Sequence, residues 1–337
     1  MESKTTKILT LGEMKDGQEA DAFVQLIEKE SYTTRKGMPY FKTTFRDAAR
    51  ELESKIWNET PMFEDCRANW EVGQFYKIRT KFSRDPKFGD QLQVSRIRVA
   101  TNADKQDGFD ISKILPSTVF PREAMYDELM SLAAQHIGSG KLLNIVTRIC
   151  KDYRRPLLDM PAARWNHHEF AGGLLEHTLS VTKVAIALCL HYETMYPHKK
   201  GAISRPLTVT GAILHDIGKI REMSYDAGTT KLTTEGAMIG HILIGRDIIR
   251  EYAGKVELDN KTQLLLEHII ISHHRIPEWG SPKPPMSMEA VIVHHADSLD
   301  AMICMYENVQ KKMPANEEVS TKNNMLGYSI YGGNRLQ

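Results

Sequence analysis

The residues best suited to chemistry lie together in Leu214-His215-Asp216-Ile217-Gly218-Lys219. A histidine beside an aspartate, directly after the apolar run Val209 to Leu214, presents an imidazole nitrogen and a carboxylate oxygen at the wall of a helical core. That donor pair suits a divalent metal. Lys219 follows His215 by four positions and Asp216 by three, so on a continuing helix it shares their face and can meet an anionic phosphate. A lone His-Asp pair is more often a buried histidine and a capping aspartate, so the assignment depends on the other donors of the chain.

Those donors are spread along the second half. His177 follows Gly172-Gly173-Leu174-Leu175-Glu176 at the start of an expected helix, and His241 follows the small-residue run Gly236 to Gly240. His273 and His274 end the apolar run Ile269-Ile270-Ile271, and Asp297 and Asp300 follow His294-His295 on another apolar stretch. On a helix the adjacent His294 and His295 face different ways, so one is expected to pack and the other to be exposed. Imidazole and carboxylate donors without thiolate suit borderline-hard ions such as manganese, iron or nickel. Cys66, Cys150, Cys189 and Cys304 form no CxxC pair, which excludes a zinc ribbon and a disulfide framework and points to a reducing compartment.

The elements that must position these groups are legible in the change of periodicity. The 337 residues have room for two domains, with 41% apolar and 26% charged residues. Between residues 20 and 100, short alternating segments around Ala22–Ile27, Pro39–Phe45, Leu52–Trp57, Phe75–Arg79 and Leu92–Val99 predict five strands with a helix or loop near Pro61 to Trp70, hence a small closed barrel. Residues 101–122 read as a linker, with Asn102 to Gly108 at one end and Pro116 and Pro121 at the other. From Arg122 onward the spacing is helical, with breaks near Tyr196 to Arg205, Ser224 to Thr234 and Ile276 to Pro285.

Net charge is only +1, so any nucleic-acid contact must come from local segregation of charge. The barrel shows it: residues 31–50 carry a net +4, residues 51–73 a net −4 and residues 74–98 a net +5. Arg35, Lys36 and Lys42 beside Tyr40 and Phe41 offer cations for phosphates and flat rings for unstacked bases, a candidate surface for single-stranded RNA or DNA. Met1 to Lys15 is too short and charged for a signal peptide, and no apolar run approaches about 18 residues, so a cytoplasmic protein without a membrane span is expected.

The ordered set His177, His215-Asp216, His241, His273-His274 and Asp297 resembles the HD superfamily of metal-dependent phosphohydrolases. The resemblance implies two divalent ions per chain. His177, His215, Asp216 and Asp297 would hold the first, and Asp216, His241 and His273 the second, with His274 an alternative or additional ligand. Manganese is the expected ion, with iron, nickel and magnesium the other candidates. Asp216 and Lys219 would be catalytic, the lysine stabilising charge on the phosphate. The order strand, Lys36-Gly37 turn, aromatic strand, Arg46-Asp47, Lys55-Ile56-Trp57, Gly73 and Gln91 to Val94 resembles the OB-fold nucleic-acid-binding domain. It departs at Asp47-Ala48-Ala49-Arg50, where that family usually has a glycine for the bend.

The combination, with Ala162 to His168 ahead of His177 and Glu278-Trp279-Gly280 after the double histidine, is similar to the YhaM type of 3′-to-5′ exoribonuclease over about residues 20–310. Arg164, His167 and His168 are then expected to contact the substrate phosphate. The expected organisation is multidomain: an extension (1–19), an all-β OB-like barrel (20–100), the linker (101–122), an all-α HD domain (123–312) and a tail (313–337) that is mobile or docks on a second copy in a homo-oligomer. The rival readings are a phosphohydrolase of nucleotides or cyclic dinucleotides, weakened by Arg275-Ile276-Pro277 where the cyclic-dinucleotide branch has Gly-Tyr-Pro, and a binding protein that has lost catalysis.

Overall fold

Alternating inward and outward side chains build five strands, β1 (Glu19–Thr33), β2 (Pro39–Arg46), β3 (Glu51–Trp57), β4 (Phe75–Asp85) and β5 (Gly89–Val99), with helix α1 (Met62–Asn69) between β3 and β4. The structure, a computed structural model, describes residues 7–85, 89–163, 168–196, 198, 201–226, 228–314 and 317–332, and of Lys312 only the backbone. It divides into two compact units: the first holds the described residues up to Ser117 together with Gly228 and Thr229, and the second the other described residues from Thr118 on.

In the first unit the strands close in the order β1-β2-β3-β5-β4, with β3 and β5 parallel and the other neighbours antiparallel, an OB-like barrel. Phe45, Ile56, Ile78, Phe82 and Leu92 fill it. Phe41 points the same way and packs on Phe63, ring centroids 5.1 Å apart. It is therefore not offered to bases, unlike its neighbour Tyr40, because consecutive strand residues face opposite sides of the sheet.

The bend without a glycine is made by a side chain. The Asp47 carboxylate accepts the N–H groups of Ala49 (2.9 Å) and Arg50 (3.0 Å), and its other oxygen takes the N–H of Leu11. Leu9, Leu11 and Met14, within the stretch read as an extension, thereby enter the barrel core. The stretch read as a linker carries a 3-10 turn (Asn102–Asp107) and helix α2 (Ile111–Ile114), and Phe109 and Ile114 are buried against Phe23 and Phe75 on the outside of the barrel.

The second unit contains α3 (Arg122–Ile137), α4 (Lys141–Asp152), α5 (Arg154–Asp159), α6 (Gly173–Met195), α7 (Arg205–Leu214), α8 (Lys219–Glu222), α9 (Thr234–Ile239), α10 (His241–Lys255), α11 (Asn260–Ser272) and α12 (Met288–Lys312). A two-stranded sheet, β6 (Met223–Asp226) with β7 (Thr229–Leu232), occupies the expected break after Ser224. Helix α7 is the axis of the core: every residue from Leu207 to Leu214 is buried, and α3, α4, α6, α11 and α12 pack around it. Its buried Thr208 and Thr210 hydroxyls donate to the carbonyls of Ser204 and Pro206, so no polar group is stranded there. Gly211 lets α11 approach, since a Cβ at that position would lie 2.7 Å from the Ile269 side chain.

Helix α6 alone among the described helices is long and apolar enough to cross a membrane, where the sequence reading expected no apolar stretch of that length; 61% of its most apolar window is buried inside this unit. The stretch 313–337 is not loose over its described residues. Ser320 N–H donates to the Ile330 carbonyl (2.9 Å), and Gln310 of α12 reaches the Tyr331 carbonyl (3.2 Å).

Asp104 is the buried anchor of the 3-10 turn. It accepts from Arg98, from the Thr101 N–H (2.8 Å) and from the Thr101 hydroxyl (3.2 Å), and Arg98 foremost holds its carboxyl well below the usual range. A carboxyl lowered by folding contributes stability above its unfolded value that is lost as pH falls towards the folded one. Asp104→Asn should therefore weaken the barrel by about 2 kcal/mol at neutral pH in urea unfolding, and the difference from wild type should shrink below about pH 4.

Candidate metal centre

Glycines let five chain segments converge. Gly173 opens α6 where a Cβ would sit 2.1 Å from the His168 carbonyl, and one at Gly218 would sit 1.9 Å from the His241 carbonyl. The first close approach places His177 one turn into α6. The second lays the start of α10 across the turn that follows α7. That turn, rather than a continuing helix, carries His215, Asp216 and Gly218 into α8. Lys219 meets Asp216 nonetheless, its Nζ 2.6 Å from Oδ2. His273 stands at the C-terminal end of α11, and Asp297 comes from α12.

Around Asp216 the donors form two groups. Oδ2 is 3.5 Å from His177 Nε2 and 3.4 Å from His215 Nε2; those two nitrogens are 3.2 Å apart, and Asp297 Oδ1 lies 3.2 Å from the first and 3.8 Å from the second. Oδ1 faces the other way, 3.5 Å from His241 Nε2 and 3.7 Å from His273 Nε2, with His274 completing that group. His274 Nε2 also lies 3.9 Å from Asp297 Oδ2, so both neighbours of the double histidine point inward. Donors bound about 2.1 Å from one ion stand roughly 3.0 to 3.4 Å apart at octahedral and tetrahedral angles, close to the separations found here.

Every one of the five histidines has its Nδ1 committed elsewhere. His177 Nδ1 pairs with Asp300 Oδ2 (2.7 Å), His215 with the Ala212 carbonyl (2.8 Å), His241 with Glu222 Oε1 (3.0 Å), His273 with the Ile270 carbonyl (2.7 Å) and His274 with the Trp279 carbonyl (2.7 Å). With Nδ1–H donating, the Nε2 lone pairs converge on the centre, the tautomer a metal requires. Asp216 Oδ1, His241 Nε2 and His273 Nε2 are buried and accept or donate no hydrogen bond among the described residues. Burying such groups without a partner is costly, and a shared cation satisfies all three at once. The residues fit a divalent ion on both sides of Asp216.

Electrostatics agree. Burial opposes ionisation of Asp216, but Lys219 and His215 outweigh it and hold the carboxyl well below its usual value. Burial likewise disfavours a charged His177, yet Asp297 and Asp300 lift it to about 9, so binding an ion at Nε2 displaces a proton. His273 and His274 are pushed down, chiefly by burial, and stay neutral as ligands must.

An outer layer supports these donors. Asp300 takes His177 Nδ1–H, accepts from the Ser180 hydroxyl and lies 3.0 Å from His168 Nε2; Glu222 accepts both the ring and the backbone N–H of His241. Neither carboxylate was singled out from the sequence for this role. The available signal for Asp300 was its place three residues, one helical turn, after Asp297 on the same helix. His168, expected at the phosphate, is instead buried behind His177 on Asp300. Arg164 and His167 lie outside the described residues. His294 packs with Nδ1 on the His273 carbonyl (2.7 Å) while His295 is exposed, as helical geometry requires.

This arrangement, an OB-like barrel joined to a helical unit whose histidines and aspartates surround Asp216, is that of a metal-dependent phosphohydrolase, and the HD domain family matches residues 174–302. The chain is 33% identical to the 3′-5′ exoribonuclease YhaM of Oceanobacillus iheyensis over 89% of its own length and 90% of the relative's. It is 32% identical to the proteins of that name from Listeria monocytogenes and Bacillus licheniformis, again over 89% of its length and 91% and 90% of theirs. The chain belongs to the YhaM family.

If Asp300 fixes His177, its loss must loosen the first donor group without removing a ligand. Asp300→Ala should weaken manganese binding roughly 10- to 100-fold in competition with a chelator, while circular dichroism stays helical.

Proposed function

We propose that this enzyme removes nucleotides from the 3′ end of single-stranded RNA in a manganese-dependent reaction, with single-stranded DNA a secondary substrate. The observation that carries the proposal is the convergence of five Nε2 atoms on the two oxygens of one buried aspartate. Its direction and substrate class follow its relatives, which are 3′-5′ exoribonucleases by name.

In this reading His177, His215, Asp216 and Asp297 would hold one ion, and Asp216, His241, His273 and His274 would hold a second. Bound divalent ions supply the Lewis acidity that activates water and offsets charge on the phosphodiester. Lys219, almost fully buried, keeps Asp216 ionised and adds a fixed positive charge beside the place where phosphate charge develops. Asp300 and Glu222 keep His177 and His241 in the required tautomer.

For the barrel, the aromatic surface is a row rather than the Tyr40-Phe41 pair. Tyr32, Tyr40 and Trp57 are cross-strand neighbours on β1, β2 and β3, with ring centroids 5.7 Å and 4.8 Å apart, and the β1–β2 turn beside them carries Arg35 and Lys36. Unstacked bases can lie on such rings while the two cations meet phosphates. Lys42 is engaged with Glu53 at 2.7 Å and contributes less.

The purified protein, given 5′-labelled single-stranded RNA, should produce a ladder shortening from the 3′ end with manganese and none with chelator. Asp216→Ala should abolish the ladder. Intact RNA under both conditions, together with turnover of free nucleotides, would move the assignment to a small-nucleotide phosphohydrolase. Trp57→Ala should weaken binding of a long oligoribonucleotide about tenfold, measured by filter binding, and leave hydrolysis of a dinucleotide unchanged.

A further inference from the structure

We infer that Trp279 is the platform on which a nucleobase next to the scissile phosphodiester stacks, an inference that rests on the exoribonuclease reading above. The loop that follows α11 is built to hold this residue against a candidate metal ligand. His274 donates its backbone N–H to the hydroxyl of the buried Ser281 (3.0 Å) and its ring Nδ1–H to the Trp279 carbonyl (2.7 Å). Inside the loop, Trp279 N–H donates to the Ile276 carbonyl (3.2 Å) and Gly280 N–H to the Pro277 carbonyl (2.8 Å). Arg275, which opens it, sits at φ +72°, a conformation a non-glycine residue holds only where its surroundings impose it.

A loop so fully bonded is rigid, yet it leaves the Trp279 side chain 62% exposed, with no aromatic partner among the described residues. An indole is highly buried on average, and this one stands largely in solvent on a hydrogen-bonded backbone. Its position points to the ligand. The His274 ring bridges the Trp279 carbonyl and the inner donor group, and the His241 and His274 rings are 5.3 Å apart, so the backbone that carries the indole adjoins the same centre. Gly280 faces the α10 start, where a Cβ would lie 3.4 Å from Ile242. Met238 and Ile239, just before His241, are exposed as well.

A centre that grips a phosphodiester and is edged by an exposed indole matches a single-stranded nucleotide: charge inside, an unstacked base outside. The indole offers a large flat face at little entropic cost and accepts any base, which suits an exonuclease that must advance through every sequence. A base still paired in a duplex has both faces covered and gains nothing from it.

The test pairs a protein change with a substrate change. Wild type, Trp279→Ala and Trp279→Phe are given manganese and a 5′-labelled single-stranded RNA, either normal or abasic at one of its last two positions, and kcat and KM are measured with the manganese content of each protein. For wild type, removing the base at one of those positions should raise KM about tenfold. Trp279→Ala should show the same rise on normal RNA, no further rise on that abasic RNA, and unchanged manganese content, while Trp279→Phe keeps most of the preference. Equal losses by Trp279→Ala on normal and abasic RNA, or loss of manganese, would overturn the inference and assign the tryptophan to holding His274. Wild type that shortens neither RNA would overturn the exoribonuclease reading and this inference with it.

Discussion

The constraint on which the second unit depends is the burial of Asp216 with both of its oxygens turned to other donors. An isolated carboxylate in such a place would take up a proton rather than stay charged. Here Lys219 at 2.6 Å and the surrounding imidazoles keep it ionised. That arrangement explains why the donors come from separate helices. One helix face can present one or two groups to a point, whereas enclosing both edges of a carboxylate needs neighbours from α6, α10, α11 and α12 as well as the turn after α7. The helices of this unit are thus arranged around Asp216 as well as around their apolar residues.

Close backbone approach is what makes the enclosure feasible. Gly173, Gly211 and Gly218 each sit where a side chain would collide, with a carbonyl at two sites and with Ile269 at the third. The glycine of His215-Asp216-Ile217-Gly218-Lys219 is therefore a packing requirement: it lets the turn and the α10 start lie together, and this sets His241 opposite Asp216 Oδ1. The uniform pinning of Nδ1 has the same logic. Rotational freedom and the wrong tautomer are removed before any ion arrives, by carbonyls at the ends of α7 and α11 and by Asp300 and Glu222.

The sequence made the division into barrel and helical unit legible because the hydrophobic period changes between them, and the inner donors legible because a set of histidines and aspartates in one order has few other uses. It was less informative where position in space decides. Asp300 and His168 act through His177, and nothing in their spacing distinguishes a supporting carboxylate from a solvated one. Phe41 and Tyr40 are equally aromatic; only the phase of the strand separates the ring that fills the barrel from the ring on its surface. Asp47 replaced the expected glycine by accepting two backbone N–H groups, a solution that depends on the chain ahead of β1 returning to Leu11.

Lys219 shows how the charges of such a centre must change in use. Its ammonium stands on Asp216, while a charged His177 lies between Asp297 and Asp300. A divalent ion held among these donors would take the place of the His177 proton. The lysine therefore keeps Asp216 a carboxylate and, in the proposed reaction, would stand as a positive charge beside the phosphodiester.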